Sequence, residues 1–224
     1  GLTDITNLAR IFTGWVWDKS VGNGDTPDFQ RRPMIQVATR HETGSSTFLG
    51  STVPAGLDGA ASLKAALDII FAHPNVAPFV SKQLIQRLVT SNPSTAYVAR
   101  VAAVFNNDGQ GVKGNLQAVI KAILLDDEAR DANNITSDTF GKLREPVVRF
   151  LNWATAFGAT SPSDAWAIGD TSDPGTKLGQ SPLRSPSVFN FFRPGYVPPG
   201  SGIAQASLVA PEFQLSNESS VAGY

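Results

Sequence analysis

The stretch from residue 73 to residue 125 constrains the fold most, because apolar residues recur in it at helical spacing. A helix repeats every 3.6 residues, so residues three or four apart lie on one face. The first part of the stretch has such a face, made of Val76, Val80, Leu84 and Leu88. Asn75 is the predicted N-cap, and Pro93 stops the segment.

Two further helices are predicted in the same stretch. The first follows Pro93, with a stripe of Val98, Val101, Ala102 and Phe105. After the glycine-containing loop 106–114, the second has a stripe of Leu116, Val119, Ile120, Ile123 and Leu124. Amphipathic helices joined by short loops bury their stripes against one another. The sequence therefore predicts a mainly α protein whose core is a helical bundle.

The remaining elements are predicted around this bundle. One helix runs from Thr3 or Asp4 to Gly14, and another carries Leu63, Leu67, Ile70 and Phe71. Between them, residues 34–40 and 47–49 suggest a short β-hairpin with its tip at residues 42–45. A helix over residues 141–157 tolerates Pro146 in its first turn and has Gly158 as its C-cap.

Residues 159–224 have a different composition, rich in proline, glycine and aromatic residues. Proline disfavours long regular elements, whereas aromatic side chains favour burial. We expect an irregular C-terminal strap over the bundle. The prediction is a single domain, 1–224, with a helix and hairpin in 1–59, the helical core in 60–158 and the strap in 159–224.

Composition limits the classes of function. The 224 residues carry a net charge of −1 and no cysteine, which gives no basic surface for nucleic acid and no thiolate chemistry. No apolar run approaches the roughly 20 residues of a transmembrane helix. The sequence has neither a metalloprotease H-E-x-x-H motif nor a G-x-S-x-G nucleophile motif. We expect no cofactor.

Two histidines are the strongest candidates for chemistry. His41, beside Glu42 on the predicted hairpin tip, is either a general base or metal ligand positioned by a carboxylate, or an exposed turn histidine. His73 precedes Pro74 at a helix boundary and is interpreted as a capping or packing residue. The candidate catalytic residues are therefore His41 and Glu42.

The other candidate sites are an acidic cluster and a set of aromatics. Asp126, Asp127 and Glu128 close the third helix, and they are either a weak metal-binding candidate or a solvated helix end. Arg193 is predicted to pair with Glu145. The candidate binding residues, for a sugar or a protein, are Trp15, Trp17, Phe192, Arg193 and Tyr196.

Several ordered motifs together resemble the bacterial family called domain of unknown function 1800. The motifs are LARIFTGW at 8–15, the segment 41–50, HPNVAPF at 73–79, KQLIQRLVTSNPS at 82–94, AVIKAILLDDEAR at 118–130, KLREP at 142–146 and SPSVFNFFRPGY at 185–196. Members usually have a lysine close to the position of Ser46, so this chain departs from the pattern beside His41.

The resemblance implies that the chain is the C-terminal part of a longer bacterial protein exported to the periplasm or secreted. It implies no established reaction. We expect a structural or protein-interaction module, with the missing N-terminal half, a second exported protein or another copy as partner. The alternative is part of an extracytoplasmic hydrolase, acting on polysaccharide. The sequence favours no enzyme activity for this chain alone.

Overall fold

The computed structural model describes residues 1–19 and 32–221. These residues are mainly α-helical with short antiparallel strand pairs, which confirms the predicted fold class. The chain forms two compact units, Gly1–Val76 and Ala77–Tyr224. Its organisation as a single domain stays a prediction. Within the described ranges, no helix combines the length and the apolar character of a membrane span.

The first unit packs two helices against short strands. Its core contains Ile11, Phe48, Val53 and Ala66, which come from both helices and from the hairpin. In chain order the unit contains α1 (Leu2–Ile11), β1 (Trp15–Val16), β2 (Ile35–Gln36), a 3-10 turn (Ala38–Arg40), β3 (Ser46–Phe48), β4 (Ser51–Val53) and α2 (Gly59–Ala72).

The hairpin of the first unit is β3–β4, and its turn is Leu49-Gly50. Both turn residues have positive φ, 50° and 74°, as a two-residue type I′ turn requires. The predicted tip at residues 42–45 is wrong, because β2 pairs with β1 rather than with β3. In this pair Trp15 lies opposite Gln36, which is 21 residues further along the chain.

The second unit contains the remaining helices, joined by irregular segments. In chain order they are α3 (Val76–Leu88, whose first residue closes the first unit), α4 (Thr95–Asn106), α5 (Leu116–Leu125), α6 (Asp127–Arg130), a 3-10 segment (Ala132–Thr136), α7 (Pro146–Ala156), α8 (Gly202–Gln205), a second 3-10 segment (Pro211–Gln214) and α9 (Glu218–Val221).

Helices α4 and α5 pack against each other, and side chains cap both of them. The Ser94 hydroxyl accepts a hydrogen bond from the Tyr97 amide, and Asn115 accepts one from the Ala118 amide. Of the stripe predicted on α5, only Val119 and Ile123 are buried. The other three side chains face solvent in this structure: Leu116, Ile120 and Leu124.

The C-terminal strap is irregular, as predicted, and is attached to the helices by specific hydrogen bonds. Asn92 Nδ2 donates to the Val209 carbonyl and Asn92 Oδ1 accepts from the Val209 amide, both at 2.9 Å. Among the strap aromatics, Phe192 is buried. Trp166, Phe189 and Phe213 are exposed, so the prediction that the aromatics are buried is wrong for these three.

Candidate functional site

His41 is buried in the first unit, with both ring nitrogens bonded. Nδ1 lies 3.0 Å from the Thr13 carbonyl, and Nε2 lies 3.2 Å from Ser62 Oγ. A carbonyl only accepts hydrogen bonds, so Nδ1 carries a proton. In the neutral ring Nε2 is then the acceptor, and Ser62 donates to it. His41 is therefore not the exposed turn residue that the sequence allowed.

The carboxylate of Glu42 does not orient His41. It binds Arg10, whose Nε lies 2.7 Å from Oε1. This hydrogen bond, opposed by partial desolvation, holds the pKa of Glu42 below its ordinary value. The sequence placed a histidine and a carboxylate side by side, but the structure directs them to different partners.

Ser62 completes a chain of groups that the sequence did not indicate. The order Ser62 Oγ, His41 imidazole, Thr13 carbonyl is that of a nucleophile, a base and an orienting acceptor. Ser62 is only 4% exposed and His41 9%, so a substrate carbonyl has no open route to the hydroxyl in this conformation. No motif could reveal the pair, because 21 residues separate its members.

Next to His41, the strand pair β1–β2 holds two buried polar groups. Trp15 and Gln36 are directly opposite in the antiparallel register. Trp15 Nε1 and Gln36 Nε2 are both buried, and neither has a hydrogen-bond partner among the residues that the structure describes. Buried donors without a hydrogen-bond partner are uncommon in proteins. The β1–β2 pair therefore carries polar groups that are shielded from solvent. Trp17, the other predicted binding aromatic of this unit, is exposed near Lys19.

The acidic residues Asp126, Asp127 and Glu128 start a helix rather than only ending one. Asp126 is the C-cap of α5 and also the N-cap of α6, where its Oδ1 accepts from the Glu128 amide. Negative charge at a helix N-terminus is favourable. The prediction that these residues close the third helix is incomplete, because it did not include the second helix.

The carboxylates of this cluster have protein partners. Asp126 receives two hydrogen bonds from Arg100, at 2.7 and 2.8 Å, and Glu128 accepts the Ser94 amide. Arg100 holds the pKa of Asp126 below its ordinary value. Across the ranges 1–19 and 32–221, no three histidine, aspartate or glutamate side chains are grouped to hold a metal ion.

The KLREP motif lies at the start of α7 and is linked to the rest of the second unit. Lys142 Nζ donates to the Arg87 carbonyl at 2.8 Å and lies 2.9 Å from Glu212 Oε1. Glu145 accepts a hydrogen bond of 2.8 Å from Gln180 Nε2. Gln180 also caps α7, because its Oε1 accepts from the Val147 amide.

The strap motif SPSVFNFFRPGY is divided between the interior and the surface. Phe192 is buried, and the Arg87 guanidinium lies 4.2 Å from its ring centroid. Arg193 is exposed, and its backbone amide donates to Gln214 Oε1. The predicted Arg193–Glu145 pair is wrong, because Gln180 and Arg87 are the side chains that approach Glu145. Tyr196 is partly buried, and its carbonyl accepts from the Ala210 amide.

Comparison with known proteins gives one match. A family model described as a protein of unknown function, DUF1800, matches residues 2–223. Neither a curated protein nor a solved structure matches the chain.

Proposed function

Because the chain belongs to the DUF1800 family, whose function is unknown, we propose its role from its own surface: it is a protein-interaction module that binds a partner through the aromatic face of α7. Three rings follow one another along this helix. The ring centroids of Phe150 and Trp153 are 6.2 Å apart, and those of Trp153 and Phe157 are 5.4 Å apart. Trp153 is 58% exposed and Phe157 75%.

Exposed aromatic rings of this size are costly in water and typical of binding surfaces. Burial of apolar area is favourable by roughly 25 cal/mol per Å², and tryptophan is enriched among the residues that dominate binding energy. Leu151 is exposed on the same helix. The row of rings is the observation that carries the proposal.

A second apolar stripe in the same unit supports an interaction role. On α5, Leu116, Ile120 and Leu124 follow one another at four-residue intervals and are exposed. The opposite side of α5 is buried, through Val119 and Ile123. Helix α4 packs on α5, yet Leu116, Ile120 and Leu124 remain 52%, 41% and 49% exposed.

The partner that we propose is the preceding half of a full-length family member. The family resemblance supports this choice, since it implies that the chain is the C-terminal part of a longer protein. A second copy of the chain and a second exported protein are the other outcomes that the test distinguishes.

We further propose that the protein is exported by a bacterium and resides in the periplasm or outside the cell. Fractionation of the source cells tests that location.

The experiment measures binding between this chain and a separately produced N-terminal half. Trp153→Glu should weaken binding at least tenfold, because loss of a central aromatic costs about 2 kcal/mol or more. Asn152→Glu adds the same charge at the neighbouring exposed position of α7 and is the matched control. Analytical ultracentrifugation of the chain alone tests self-association. Equal binding by both variants contradicts the proposal.

A second candidate function is hydrolysis, and the Ser62–His41 hydrogen bond is the observation that favours it. Polysaccharide or its ester substituents would be the substrate class. Ser62→Ala should abolish turnover in a substrate screen, whereas Ser45→Ala, on the exposed loop before β3, should not. The burial of Ser62 makes this the weaker candidate, since a substrate would need local opening of the unit.

A further inference from the structure

A cleft of about 330 Å³ lies beside the KLREP motif in the second unit. Its charged lining consists of Arg87 at the end of α3, Lys142 and Arg144 of the motif, and Glu145. Its apolar wall is made of Leu88, Val89 and Val148. Three basic side chains and one acidic side chain therefore surround one opening, although the whole chain has a net charge of −1.

The basic side chains differ in how far they are already paired. Lys142 forms an ion pair with Glu212, at 2.9 Å, and donates a hydrogen bond to the Arg87 carbonyl. Arg144 is exposed, and among the described residues it has no acidic partner within ion-pair distance. Arg87 Nη1 lies 3.9 Å from Glu145 Oε1, which is longer than the 2.7–2.9 Å typical of a charge-assisted hydrogen bond.

Arg87 is held in place by an aromatic contact as well as by its long ion pair with Glu145. Its guanidinium lies over the buried ring of Phe192, at 4.2 Å from the centroid. The Arg87 side chain is nevertheless still 31% exposed. Glu145 is meanwhile held by Gln180, so it is fixed at a distance from Arg87. The cleft thus presents an oriented guanidinium with donors available to an anion.

We propose that this cleft binds an oxyanion, a carboxylate or phosphate group, carried by a small molecule with an apolar part. Arg87 and Arg144 bind the oxyanion, since the guanidinium fork matches the spacing of its oxygens. Lys142 lies beside the opening and is fixed there by Glu212, which balances its charge. Leu88, Val89 and Val148 contact the apolar part. This site does not depend on the aromatic face of α7, so either proposal can fail alone.

The probes are phenyl phosphate and benzoate, which carry the two anion types on the same apolar ring. Binding is measured by isothermal titration calorimetry at constant ionic strength set with chloride. Arg144→Gln should weaken binding of the preferred probe about tenfold or more, the size expected for loss of a hydrogen bond to a charged group. The matched control is Arg40→Gln, which removes the same charge from an exposed position in the first unit.

A second variant tests the sign of the charge effect. Glu145→Gln keeps an acceptor for Gln180 but removes the only carboxylate from the lining, so it should tighten binding several-fold. Binding of one probe and not the other supports the site and identifies its anion. Absence of saturable binding of both probes to the wild-type protein, or equal weakening by Arg144→Gln and Arg40→Gln, overturns the proposal.

Discussion

Lys142 Nζ lies 2.9 Å from Glu212 Oε1, and the glutamate is 1% exposed. The other oxygen, Oε2, has no hydrogen-bond partner in the described structure. Lys142 is therefore the side chain that balances this buried charge. The pair joins the KLREP motif to the last part of the strap, 70 residues further along the chain.

The first prediction is that Lys142→Met destabilises the protein by about 3–5 kcal/mol, because it leaves a buried carboxylate without its counter-charge. The midpoint and slope of urea denaturation measure the change. The double variant Lys142→Met, Glu212→Leu should regain much of the loss, since it removes the charge as well. If the double variant is as unstable as the single one, burial of the charge is not the cause.

The second prediction concerns Tyr97, whose hydroxyl donates to the Ile123 carbonyl at 2.6 Å. Burial, together with the negative charges of Asp126 and Glu128, raises the pKa of Tyr97 to about 12. An ultraviolet absorbance titration, compared with that of Tyr97→Phe, should show one tyrosine whose pKa lies near this value rather than near the ordinary tyrosine value of about 10. A difference titration with its midpoint near the ordinary value contradicts the buried hydrogen bond.

The same substitution tests the packing of α4 on α5. Tyr97→Phe should lower the free energy of unfolding by about 1–2 kcal/mol, because the Ile123 carbonyl loses its side-chain donor in a buried place. Tyr196→Phe is the control, since Tyr196 is only partly buried in the strap. Thermal or urea unfolding gives both values.

The third prediction is a dependence of stability on acid pH through Asp126. The hydrogen bonds from Arg100 lower the pKa of Asp126 below its ordinary value. The folded state therefore holds its proton less tightly than the unfolded state. The stabilisation is fully present above the unfolded value and is lost as the pH falls through the folded value.

Its size is limited to about 1 kcal/mol, because Arg100 is half exposed. Asp126→Asn keeps a capping side chain but should remove this part of the acid dependence, which begins as the pH falls below the ordinary aspartate value of about 4. Asp138→Asn, at an exposed position, is the matched control. Identical acid profiles for Asp126→Asn and wild type would show that the ion pair contributes nothing.

The fourth prediction compares two glycines of the first unit that share a backbone conformation. Gly14 and Gly56 have φ of +84° and +83°, a region that side chains with a Cβ disfavour by roughly 1 kcal/mol. A Cβ at Gly14 would lie 2.9 Å from the Val37 carbonyl oxygen, whereas nothing lies within 4 Å of a Cβ at Gly56. Gly14→Ala should therefore destabilise more than Gly56→Ala, by at least about another 1 kcal/mol. Equal losses of stability in the two variants would contradict this prediction, because they would mean that the β1–β2 region shifts at no cost to accommodate the added Cβ.

Helix α5 shows which structural features a hydrophobic pattern can predict and which it cannot. The spacing predicted the helix and its apolar residues, but it could not tell that Val119 and Ile123 are covered while Ile120 and Leu124 are exposed. Coverage depends on where α4 lies, and α4 is oriented by contacts such as Tyr97 with Ile123, 26 residues apart.

The predicted binding residues and the pair His41 and Glu42 stay predictions as functional residues.

By itself, the sequence determined the mainly α character, most helix positions, the presence of a short hairpin, the irregular strap and the family. These follow from local patterns, since periodicity, caps and proline act over a few residues. Only the tertiary structure decided that β2 pairs with β1, that His41 meets Ser62, and that Arg87, Lys142 and Arg144 surround one cleft. The physical reason is that these relationships join residues distant along the chain, and their geometry depends on the packing of whole elements rather than on any local preference.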